Sequence, residues 1–117
     1  MVIFILKVTP SSCQREEILQ VLRCVEGPIS IKAGCLFSEI YEKVSDEPAI
    51  LYMEFWNSFD MICHHIRSEL FTKILIAMEM SSKQPEIHFY DLSKEWGLDL
   101  VEELRSESGC KPERRAG

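Results

Sequence analysis

A strand covered on both faces has no polar side, and the opening segment has none. From Val2 to Val8 nearly every residue is apolar or β-branched, until Thr9-Pro10 ends the run. This predicts a strand in the middle of a sheet. The period then changes. Ile18, Leu19, Leu22 and Val25 recur at helical spacing, Ser11 and Gln14 stand ahead of them as a capping box, and Gly27-Pro28 closes the pattern. An amphipathic helix ending at Gly27-Pro28 is expected.

Alternation returns over residues 35–44, where Phe37, Glu39 and Tyr41 interleave with Leu36, Ser38 and Ile40. A turn at Ser45-Asp46-Glu47-Pro48 leads into a further strand over residues 49–56, and so short a connection predicts an antiparallel hairpin. Asn57 or Ser58 then caps a helical stretch over residues 58–80. Phe59, Ile62, Cys63 and Ile66 share one face of it, and Phe71, Ile74, Leu75 and Met78 repeat the spacing. It is one long helix or two turned at Ser68. Residues 86–92 alternate as a fourth strand, and residues 94–105 carry Trp96, Leu100, Val101 and Leu104 as a terminal helix.

The order β-α-β-β-α-β is the split βαβ arrangement, an α+β ferredoxin-like sandwich whose helices lie on one face of an antiparallel sheet. The expected organisation is one domain over residues 1–93, a C-terminal helix over residues 94–106 packed on that domain or on a dimer partner, and a disordered polar tail over residues 107–117. The strands are apolar on both faces, as Ile3 and Ile5 against Phe4 and Leu6 show. Helices cover only one of these faces. Leaving the other in water costs roughly 25 cal/mol per Å² of apolar surface, so a homodimer formed through the sheet faces is expected.

A chain of 117 residues is too short for two cores, and 46% apolar with 27% charged residues describes a folded domain. The net charge of −6 opposes the phosphate backbone and argues against nucleic acid as a partner. The opening apolar run has no basic segment before it and is followed by Lys7, so neither a signal peptide nor a membrane span is expected, and the protein reads as cytoplasmic. Five cysteines, an odd number with no C-x-x-C pair, argue against a disulfide framework or zinc knuckle. Cys13, Cys24, Cys35 and Cys63 read as free thiols filling the core, with Cys110 exposed in the tail.

At Glu54-Phe55-Trp56 the third strand ends in an E-x-W pattern, and His65-Ile66-Arg67-Ser68 places H-x-x-S on the helix that follows. Gly34-Cys35 before the second strand, the Asp46-Glu47-Pro48 turn and Gln84-Pro85 before the last strand complete the pattern. Over roughly residues 1–92 the chain resembles the antibiotic biosynthesis monooxygenase family. The resemblance implies a dimeric α+β barrel and oxidation of a quinol or polyphenol-type aromatic by O₂, without metal, flavin or haem. No cofactor is expected on that basis.

Such chemistry needs an electron-rich substrate anion in a dry apolar pocket, and hence a base. His65 is the candidate, since an ordinary imidazole titrates near pH ~6.5; the competing reading is a surface or capping histidine. Trp56 either stacks on a planar substrate and donates its indole N–H or is plain core. His65 and Trp56 are thus the candidate catalytic residues, and Tyr52, Glu54 and Arg67 the candidate substrate-binding ones. Strand alternation puts Tyr52 and Glu54 on the face of Trp56, and a carboxylate there needs a partner, either Arg67 or His65. His64 lies about 100° around the helix from His65, so the two do not chelate as an i, i+4 pair, and no metal site is expected. His88 and Tyr90 rank lower, as residues of the sheet's second face.

Haem-degrading relatives of this fold use a first-strand Asn, whereas this strand ends Leu6-Lys7-Val8-Thr9, which disfavours haem cleavage. The alternative function is a non-catalytic module, for stress response or for binding a small aromatic ligand, on the same dimeric barrel.

Overall fold

The computed structural model describes residues 1–107. Its elements run β1 (Val2–Val8), α1 (Arg15–Ser30), β2 (Cys35–Glu42), β3 (Ile50–Trp56), α2 (Phe59–Ile66), α3 (Phe71–Glu79), β4 (Glu86–Asp91) and α4 (Leu98–Glu107). The sheet is antiparallel in the order β2-β3-β1-β4. This is the α+β ferredoxin-like sandwich that the alternation predicts. Of the expected tail, Glu107 is the last residue of α4, and Cys110 with the other tail residues lies outside the described residues.

β1 sits between two partners, so its backbone is paired on both edges and its side chains divide by parity. Val2, Phe4, Leu6 and Val8 are buried beneath the helices, while Ile3, Ile5 and Lys7 are half-buried on the other face. β3 repeats the division, with Ile50, Tyr52, Glu54 and Trp56 on the helix side. α1 lays Ile18, Leu22, Val25 and Ile29 onto this layer, α3 adds Phe71, Ile74 and Ala77, and the two helices pack side by side. Phe4 sits at the centre, its ring 5.8 Å from that of Phe71 and 4.9 Å from that of Phe89.

Several boundaries differ from expectation, each for a local reason. α1 runs through Gly27-Pro28 to Ser30. Proline forfeits one backbone hydrogen bond in the last turn, but Ile29 is fully buried and continues the apolar stripe, so burial outweighs the loss. The expected capping box does not form: the Ser11 hydroxyl donates to the Gln14 side chain, and Gln14 N–H donates to Ser11 O in a turn ahead of the helix. The stretch after β3 is two helices, and the turn falls at Ser68, whose N–H and hydroxyl both donate to His65 O.

On α2 the buried face is Ile62 and His65, and Phe59 points outward at 62% exposure. The polar His65 displaces the expected apolar face by a fraction of a turn. Of the described cysteines only Cys35 packs against the core, half-buried; Cys63 is half-buried, and Cys13 and Cys24 are exposed. Cys24 precedes Val25, the residue that the buried stripe of α1 uses, and so lands outside. α4 starts at Leu98 rather than 94, after a turn in which Gly97 N–H donates to the Asp99 carboxylate.

The helix-free face of the sheet carries aromatic and aliphatic side chains interrupted by Lys7, Glu39, Glu86 and His88. Phe37 stacks on Phe55 at 4.0 Å, and Ile5, Met53, Tyr41 and Tyr90 extend the patch across the strands. Phe37, Tyr41 and Tyr90 are each nearly half exposed. Among the described residues no helix is long and apolar enough to cross a membrane.

Candidate functional site

Among the described residues Glu54 is the one acidic side chain in the buried layer, at 0% exposure and directly across from Phe4. An ionised carboxylate there is tolerable only with full hydrogen bonding. Strand geometry supplies two donors from the same strand, because residues two apart point to the same face. The Tyr52 hydroxyl donates to Glu54 Oε2 at 2.7 Å, and the Trp56 indole N–H donates to Oε1 at 3.0 Å.

The third donor comes from α2. Ser58 caps this helix by accepting from Met61 N–H, and after about two turns the chain brings His65 back over the end of β3. His65 Nε2 lies 3.1 Å from Glu54 Oε2 with both side chains fully buried, and its ring stacks on Trp56 at 4.8 Å. On the far side of the imidazole, Lys32 Nζ sits 3.4 Å from Nδ1 and donates to Ser68 Oγ at 2.8 Å. An ammonium can only donate. With Glu54 ionised and the ring neutral, the tautomer assigned from these partners is the one in which Nδ1 carries the lone pair and Nε2–H donates to Glu54.

Burial pushes the Tyr52 hydroxyl well above the usual tyrosine range, and the charge of Glu54 and the hydrogen bond to it push the same way, against a weaker opposing hydrogen bond with Ser38. Tyr52 stays a donor. Burial also pushes the Cys35 thiol up, with the Glu54 charge adding to it, so this neighbouring cysteine is held as a thiol and is no nucleophile.

A cleft of about 320 Å³ opens at this point, lined by Lys32, Ala33, Trp56, Met61, His64, His65 and Ser68. Trp56 and His65 form its inner wall and Met61 one apolar side. Met61 packs against Gly34, which has φ 87°, and a Cβ on Gly34 would lie 2.5 Å from Met61 Cγ. Glycine is required there both for its positive φ and for the close approach.

No protein-family model matches the sequence, and no curated protein matches it. Solved structures match along the fold. A candidate antibiotic biosynthesis monooxygenase from Deinococcus radiodurans has a TM-score of 0.74 at 19% identity, over 83% of this chain and 97% of its own. The chain shares the antibiotic biosynthesis monooxygenase fold. The Mycobacterium tuberculosis protein Rv0793 gives 0.73 at 18% identity over 82% and 98% of the two chains. A further candidate antibiotic biosynthesis monooxygenase, from Caulobacter crescentus, gives 0.69 at 18% over 80% and 90%. At these identities the likeness is one of fold.

In this fold Tyr52, Glu54, Trp56 and His65 meet in one network, as their strand and helix positions suggest. Two details differ. Tyr52 and Glu54 are buried outside the lining of the cleft, where they hydrogen-bond with one another and with Trp56 and His65. Arg67 is exposed and takes no part, because His65 fills the place offered to it beside Glu54. Lys32 and Met61 were not anticipated. Ser68 was visible in H-x-x-S, but Lys32 carries no local signal, since it is 33 residues from His65 in sequence.

With its folded pKa raised, Tyr52 stays protonated in the native state where the unfolded chain ionises, near pH ~10. The corresponding stability is fully present below that pH and is lost as pH rises above it. Urea unfolding should show the wild type losing stability above pH ~10 more steeply than Tyr52→Phe; equal slopes would contradict the assignment. At neutral pH the same variant should be less stable by about 1–3 kcal/mol, because Glu54 loses a donor.

Proposed function

We propose that the protein is a cofactor-independent monooxygenase that oxidises a quinol or polyphenol-type aromatic with O₂ in the cleft beside Trp56 and His65. One observation carries this reading: a fully buried carboxylate, Glu54, is hydrogen-bonded to Nε2 of an imidazole that lines the cleft and whose other nitrogen lies 3.4 Å from Lys32 Nζ. That is the arrangement of a general base. The carboxylate holds the tautomer and stabilises the imidazolium formed when Nδ1 takes a proton.

In the proposed reaction His65 Nδ1 removes the phenolic proton, and the phenolate passes one electron to O₂, giving a phenoxyl radical and superoxide. Their recombination forms a C–O bond on the ring. Cleavage of the O–O bond, with loss of the ring hydrogen and return of the proton from His65 to the departing hydroxide, leaves the quinone and one water. One atom of O₂ ends on the ring and the other in water. The indole of Trp56 and the thioether of Met61 supply the apolar walls that orient a planar ring.

Oxygen uptake over a panel of quinols tests this. Wild-type protein should exceed background, and His65→Ala should lose on the order of 10²- to 10⁴-fold in rate. His65→Gln keeps a donor for Glu54, so a similar loss with an unchanged melting temperature separates chemistry from folding. Equal uptake with and without protein would leave the second reading, a binding module for small aromatics.

The proposed assembly is a homodimer through the apolar sheet faces, supported by the uncovered Phe37, Phe55 and Tyr90 surface. Helix α4, whose Leu98 and Val101 are at least half exposed, would then find its packing surface on the domain or on the partner. Sedimentation should give a dimer at micromolar concentration, and Phe55→Glu a monomer; a wild-type monomer would remove the proposal.

A further inference from the structure

Lys32 is the single charged residue between Gly27 and Ser38. It stands at the turn after α1, tied on both sides by its N–H donating to Ile29 O and by Cys35 N–H donating to its own carbonyl. Its ammonium is part-buried at the cleft, with two of its three hydrogens directed to neutral acceptors, Ser68 Oγ and His65 Nδ1. Among the described residues it makes no ion pair, although the chain carries 19 acidic side chains. No carboxylate of the described residues lines the cleft. The Glu54 carboxylate lies behind the imidazole and is already met by three donors.

A part-buried cation without a counter-charge, beside an apolar wall of indole and thioether, is a site for a planar anion. We infer that the cleft binds its aromatic ligand as a phenolate, with Lys32 Nζ donating to the anionic oxygen and Ser68 holding the ammonium in place. The inference deepens the reading of the cleft as an aromatic site. It assigns Lys32 the choice of ionisation state, and the proton leaves through His65. As the phenolic oxygen delivers its proton to Nδ1, that nitrogen ceases to accept from Lys32. The released ammonium hydrogen is then free for the new phenolate, so proton removal and anion capture occur at adjacent atoms.

The competing account is that Lys32 merely offsets the C-terminal ends of the α1 and α2 dipoles. Calorimetric titration without oxygen separates the two, using para-nitrophenolate and its neutral methyl ether, para-nitroanisole, as probes in mildly alkaline buffer. Wild-type protein should prefer the phenolate. Lys32→Met should weaken phenolate binding roughly tenfold, the size of a charge-assisted hydrogen bond, and leave the ether unchanged. Lys32→Arg, which keeps the charge and the fold, should retain the preference. The proposal is overturned if Lys32→Met weakens both probes equally or neither, or if wild-type protein binds neither. Because no turnover is measured, phenolate binding that depends on Lys32 with no oxygen uptake would end the monooxygenase reading and leave this one standing.

Discussion

Everything near the cleft follows from the cost of placing the Glu54 carboxylate in a layer that is otherwise apolar. A buried carboxylate left unpaired costs several kcal/mol, far more than a single hydrogen bond returns. Strand β3 cannot satisfy Glu54 alone. Tyr52 and Trp56 flank it on the same face and give one hydrogen bond each, and the third must arrive from another element. That requirement places His65 inward on α2, leaves Phe59 outward, and sets the end of the helix where Ser68 takes up the carbonyl of His65. Paired this way, the side chains form a rigid wall: Trp56 and His65 stack, and each is fixed at its polar end by the same carboxylate.

Rigidity at the wall contrasts with freedom in front of it. Met61 is 40% exposed and Lys32 is held by two hydrogen bonds to neutral groups, so the outer side of the cleft can rearrange around a ligand while the inner side cannot. The division suits a site that must present one nitrogen in one tautomer. It also separates chemistry from association: the cleft lies on the helix side of the sheet, while the uncovered aromatic surface lies on the other, divided from it by parity along β1 and β3. A residue changed by one position would move from one task to the other.

Much of the fold was legible in the sequence for a different reason in each element. β1 and β3 stand out as short, nearly uninterrupted apolar runs, as expected of strands covered on both faces, and α1 by the 3.6-residue period that backbone geometry imposes on a half-buried helix. Glu54 could be singled out because a carboxylate in such a strand contradicts its surroundings, and Tyr52 and Trp56 follow from it at two-residue steps. Arg67 was a wrong partner because it lies two residues, or about 200°, around the helix from His65, an offset that spacing alone does not turn into a direction until the buried face of α2 is known. Lys32 was invisible for a different reason. Its role depends on the return of α2 over the turn after α1, a tertiary contact that no local period encodes. The end of α1 was misjudged because proline near a helix terminus weakens a hydrogen bond that burial of Ile29 replaces, a tertiary gain set against a local loss.

The central claim is that Glu54 holds His65 with its proton on Nε2 and its lone pair on Nδ1, toward Lys32. Long-range proton–nitrogen correlation NMR of imidazole-labelled protein, with His65 assigned through His65→Gln, reads this directly near neutral pH. In the neutral ring the proton should sit on Nε2, with an unprotonated Nδ1 whose shift changes in Lys32→Met, and that tautomer should be lost in Glu54→Gln. A neutral His65 ring protonated at Nδ1, or one averaging between tautomers in the wild type, would contradict it.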